Sequence, residues 1–78
     1  MLTEALDHLV RGIVDNPDEV RVSERSGRRG PSLTVRVHPD DLGRVIGRSG
    51  RTAQALRTVM GALAESNVRI DILDVDER

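Results

Sequence analysis

Not one of the 78 residues is Phe, Tyr or Trp, so any interior this chain builds must come from Val, Ile, Leu, Ala and Met. A chain this short buries only about 60% of its unfolded surface, and small aliphatic side chains keep that interior thin. The same absence removes nucleic-acid-binding modes that rest on aromatic stacking, the RRM sheet and most OB-folds among them. Cys is missing too, which leaves neither a disulfide framework nor a Cys-based zinc site.

The positions of the aliphatic residues predict the elements. Leu2, Ala5, Leu6, Leu9, Val10, Ile13 and Val14 repeat at helical spacing, and Asn16-Pro17-Asp18 is expected to stop that helix. Glu4 and Asp7 suit its positive end, and Asp7 is placed to pair with Arg11 one turn on. Val20 and Val22 alternate with polar residues, then Leu33, Val35 and Val37 alternate after a turn-rich stretch, Ser26 to Pro31. That pattern predicts a β-hairpin. Pro39 and the acids Asp40 and Asp41 open a short second helix with Leu42, Val45 and Ile46 on its apolar face. A third helix spans 51–65 with Ala53, Leu56, Val59, Met60, Leu63 and Ala64, and Val68, Ile70 and Ile72 alternate as a last strand. The order is α-β-β-α-α-β in one domain, 1–78, with a core over about 2–75 and a short acidic tail.

Net charge is −1, but the average hides a pattern. From Arg25 to Arg57 eight Arg stand against Asp40 and Asp41, a local balance of +6. The first 24 residues carry −4 and the last 21 carry −3. Local potential, not the total, governs attraction to phosphate. Every basic residue is Arg, whose planar fork suits phosphate and base edges. A GC-rich coding bias gives the same preference, so it carries no argument alone.

Gly47-Arg48-Ser49-Gly50 separates the second and third helices. Gly lets backbone approach a ligand closely, and the loop runs into the longer helix, whose first N–H groups lack partners inside the helix and favour an anion. A sugar-phosphate backbone there would meet free amides and the guanidinium groups of Arg48 and Arg51, with Arg44 and Arg57 extending the basic strip. Ile46, Ala53 and Val45 are the candidates for an apolar floor beneath unstacked bases. A second copy of the template, Gly27-Arg28-Arg29-Gly30, lies between strands and before Pro31. Its setting makes it a hairpin turn, with an auxiliary phosphate contact by Arg28 and Arg29 as the alternative.

Val45-Ile46-Gly47-Arg48-Ser49-Gly50-Arg51-Thr52 resembles the KH signature, an apolar pair before G-x-x-G with a basic residue inside. With the element order and the length, the chain resembles the small single-domain bacterial KH proteins of the KhpA family, from Leu2 to Val75. The resemblance implies the α+β, type II KH fold: a three-stranded mixed sheet with three helices on one face. It also implies a groove for about four nucleotides of single-stranded RNA, and the role of an RNA chaperone or post-transcriptional regulator. The partners it implies are a second copy of the chain or a larger KH-containing protein.

Little else carries chemistry. His8 and His38 have no ligand cluster at metal spacing, and no Ser has a His and acid that would activate it. No cofactor is called for, and an enzyme is not expected. Asp40 and Asp41 read as helix-start acids, Gly12 and Gly61 as helix positions allowing close packing or a dimer contact, and Met60 as core. No apolar run approaches the ~20 residues of a membrane span, and Met1-Leu2-Thr3-Glu4 does not open like a signal peptide, so the expected location is the cytoplasm. Two other functions compete with RNA binding: protein–protein pairing with little RNA affinity, and single-stranded DNA binding in the same groove.

Overall fold

The apolar alternation read from the sequence becomes a sheet with one covered face. The structure is a computed structural model and describes residues 2–28 and 30–76. Arg29 and the end of the acidic tail therefore lie outside the described residues. Strands β1 (Arg21–Gly27), β2 (Gly30–Val37) and β3 (Arg69–Asp74) lie in the order β1-β2-β3. The first pair is antiparallel, with Val22 opposite Val35, and the second is parallel, with Val35 beside Ile72. The sheet is mixed, as expected.

Side chains alternate across a strand, so that register puts Val22, Leu33, Val35, Val37, Ile70 and Ile72 on one face. Helices α1 (Leu2–Arg11), α2 (Leu42–Ile46) and α3 (Arg51–Ala64) cover it. Leu6 and Val10 from α1, Val45 from α2, and Leu56 and Met60 from α3 complete a core with Val20. Each fully buried Leu, Val, Ile or Met contributes about 1.5–3 kcal/mol relative to exposure.

Element ends differ from the sequence reading in instructive ways. Helix α1 stops at Arg11, not at Asn16: Ile13 and Val14 both return to the Val10 carbonyl in a turn that still packs them against the core. Gly12 thus lies past the helix, and Pro17–Glu19 forms a 3₁₀ turn of its own. The Asp7–Arg11 pair is made, at 2.9 Å. Helix α3 ends on Glu65 in the left-handed region (φ 55), its N–H and that of Ser66 donating back to Ala62 and Gly61. A Cβ on Gly61 would lie 3.4 Å from the Ser66 carbonyl of this closing turn, about ordinary contact distance.

Asp41 stands at the start of α2, as expected of a helix-start acid, but it is 1% exposed and its side chain makes no capping hydrogen bond to that helix. Instead Oδ1 accepts from the Asp15 N–H at 3.2 Å, and Oδ2 accepts from the Asn16 N–H and the Asn16 side chain, both at 3.0 Å. One carboxylate therefore ties the α1–β1 connection to the start of α2. Burial alone would raise its pKa. The hydrogen bonds from Asn16 and Asp15 overcome that and hold it below its ordinary value. His38 itself caps the turn Pro39–Asp41, its Nδ1 accepting from the Asp40 N–H.

Candidate nucleic-acid interface

Helix α2 closes with the Gly47 N–H donating to the Gly43 carbonyl at 2.8 Å, and there the chain swings out (Gly47 φ 78, ψ 169). The 3₁₀ turn Arg48–Gly50 follows and leads into α3 without an intervening residue. Ser49 (φ 56) and Gly50 (φ 75) are both left-handed, so two consecutive residues reverse the path. Gly47 is sterically mandatory: a Cβ there would overlap the Thr52 side chain and come within 2.8 Å of the Thr52 backbone nitrogen. Gly50 has open space around its missing Cβ, so dihedral angle alone selects glycine there.

The open amides are not those of the glycines. Gly50 N–H donates to the Gly47 carbonyl at 3.1 Å and Arg51 N–H to the Arg48 carbonyl. Among the described residues the N–H groups of Arg48 and Ser49, both exposed, have no acceptor. The glycines shape the loop, and the two residues between them present it. The side chains of Arg48 and Arg51 are exposed and form no hydrogen bond or ion pair with another described residue. Two amides, two guanidinium groups and the start of a 14-residue helix therefore converge on one spot, a combination suited to an anionic backbone.

The flanking residues divide. Ile46 is 38% exposed and borders the loop as an apolar surface. Val45 is fully buried in the core and Ala53 is 4% exposed, so neither of these expected floor residues presents open surface beside the loop. Their helical phase turns them inward while Ile46 points out. Arg44 reaches back to Asp15, 3.0 Å away in an exposed pair. Arg57 leans across from α3 to the Ile70 carbonyl on edge strand β3, at 3.4 Å. It stands at a groove of about 600 Å³ running from Gln54, one turn beyond the loop, to Asn67 and Val68. Gln54, Ser66 and Asn67 were not singled out in the sequence, since only the crossing of α3 over the end of β3 brings them together. Among the described residues no group of His, Cys, Asp or Glu could hold a metal, and no helix is long and apolar enough to cross a membrane.

Comparison with known proteins places this geometry in context. Residues 3–72 match the family model for the KhpA/KhpB KH domain. The chain is 68% identical to the RNA-binding protein KhpA of Streptomyces coelicolor over 76 residues, covering 97% of this chain and 96% of that one. It is 54% identical to the protein of the same name from Mycobacterium tuberculosis over 77 residues, covering 99% and 96%. Among solved structures it is similar to Era in complex with MgGDPNP and nucleotides 1506–1542 of 16S ribosomal RNA. The TM-score is 0.53 at 12% identity, over 94% of this chain but only 29% of that one, a likeness of fold alone.

Proposed function

Because the chain belongs to the KhpA/KhpB KH-domain family, a family of RNA-binding proteins rather than enzymes, we propose that it binds single-stranded RNA through Gly47–Gly50. The observation that carries the reading is the pair of open amides at Arg48 and Ser49, flanked by the unpaired guanidinium groups of Arg48 and Arg51. Phosphates lie across those amides, and the following nucleotides run along α3 past Gln54 and Arg57 toward β3. About four nucleotides fit such a groove. With no aromatic platform, base preference is weak and backbone capture dominates. That suits an RNA chaperone or post-transcriptional regulator acting on many transcripts.

Arg48→Asp with Ser49→Asp tests the site. Both side chains are exposed, and Asp tolerates the left-handed conformation of Ser49 better than most residues. The expected result is at least a tenfold loss of affinity for a short single-stranded RNA by fluorescence anisotropy, with the melting temperature unchanged. Unaltered affinity in a folded double variant rejects the loop. Parallel titration of a DNA oligomer of the same sequence tells whether the groove discriminates the sugar.

A second reading, pairing with another KH chain, has its own observation. Val59 (44% exposed) and Leu63 (58%) lie one turn apart on α3, next to exposed Ala55 and Ala62, an uncovered small apolar ridge. Leu63→Glu is expected to lower the molar mass seen by light scattering if the ridge joins two copies, without changing short-oligomer affinity. A mass already monomeric in the wild type leaves the ridge to a different KH partner.

A further inference from the structure

Opposite the helices, the sheet shows its other face, and the register decides what stands there. Arg21 pairs with Arg36, which adjoins Leu73; Ser23 pairs with Thr34, beside Asp71; Arg25 pairs with Ser32, beside Arg69. Gly27 opposite Gly30 ends the rows. This face therefore carries four arginines and one acid, +3, while the chain as a whole is −1. Everything else together is −4. A shallow depression of about 650 Å³ lies on it, lined by Arg25, Arg36 and Arg69 and by the acids Asp71 and Glu24, the latter reaching it from β1.

We propose that this open sheet face is a second phosphate-binding surface for RNA, separate from the loop, that makes the chain bivalent toward longer strands. Its arginines come from all three strands, which lie ~4.8 Å apart, with same-face neighbours ~6.7 Å apart along each strand. That spreads charge over a grid, too broad for one small anion and suited to a run of phosphates. Ser23, Ser32 and Thr34 stand between the arginines as hydroxyl donors of the kind that position a nucleic-acid backbone. The face offers no aromatic side chain and a single large apolar one, Leu73, so it lacks the aromatic anchors common at the centre of protein–protein interfaces. Arg25 is exposed; Arg21 is exposed too but donates to the Asp18 and Val20 carbonyls, and among the described residues Arg69 makes an exposed 3.4 Å contact with Asp71. Arg36 already has an interaction within the molecule and is left out of the test.

The surface does not depend on the loop, and the experiment separates them. Arg25→Gln with Arg69→Gln is compared with wild type, with Arg48→Asp/Ser49→Asp, and with Arg11→Gln as a charge control on α1. Two single-stranded RNAs of 6 and 30 nucleotides are titrated across a salt series. The sheet variant is expected to hold the 6-mer within twofold of wild type and the 30-mer about tenfold more weakly. Its 30-mer salt slope should flatten by roughly 1.4, at about 0.7 for each phosphate no longer neutralised. If the loop reading alone fails, the loop variant keeps both affinities while the sheet variant still loses the 30-mer. Three results overturn the proposal: a 30-mer slope equal to wild type, an equal loss for both RNAs, or an equal loss in Arg11→Gln. The first leaves the face to an acidic protein partner.

Discussion

Single residues set the loop's shape and leave its chemistry to their neighbours. Gly47 is held at φ 78 with the Thr52 backbone pressed against the place a side chain would occupy. Gly47→Ala adds backbone strain and overlap and is expected to destabilise by about 3 kcal/mol in urea titrations. Gly50→Ala meets no atom and carries strain alone, about 1 kcal/mol. Equal losses in the two variants would mean that the overlap with Thr52 is relieved elsewhere. That glycines bracket the loop was legible in the sequence. That their own amides are taken, and those of Arg48 and Ser49 left open, was not. Hydrogen bonding within a turn depends on dihedral angles, and a left-handed Ser announces nothing in the sequence.

Periodic elements were legible because burial selects side chains at fixed spacing. Leu33, Val35 and Val37 alternate, and all three are fully buried. Joints between elements were less so. Asp41 reads as a helix-start acid, and it does stand at the start of α2, but that position does not reveal what its carboxylate binds. Its true partners lie 25 and 26 positions away, and no local pattern points to them. Since the folded carboxyl titrates below its usual 3.8, its stabilisation is fully present above that value. It is lost as pH falls through the lower folded pKa. Asp41→Asn turns an amide donor toward the same N–H groups, so its melting temperature should lie below wild type at pH 7. The gap should narrow as pH falls below 3.8 and through the lowered folded pKa, where wild type loses the carboxylate. A constant gap would assign the effect to shape rather than charge.

Across the whole molecule, charge is sorted rather than balanced. Arginines hold the loop and the open sheet face, and acids hold the α1–β1 connection and both flanks of the sequence. RNA affinity should therefore fall steeply with added salt, by about 0.7 log units per decade for each phosphate neutralised, despite the net acidity. A flat profile would show that binding, if present, does not run through phosphate. The parallel pairing of β3 with β2 joins residues 37 positions apart, Ser32 with Arg69 and Val37 with Asp74. A translation product that stops before Arg69 still forms its β-hairpin but leaves the central strand with a bare, aliphatic, hydrogen-bonding edge. Such fragments would zip together into aggregates, so frameshifts late in the reading frame should yield insoluble debris rather than a weaker protein.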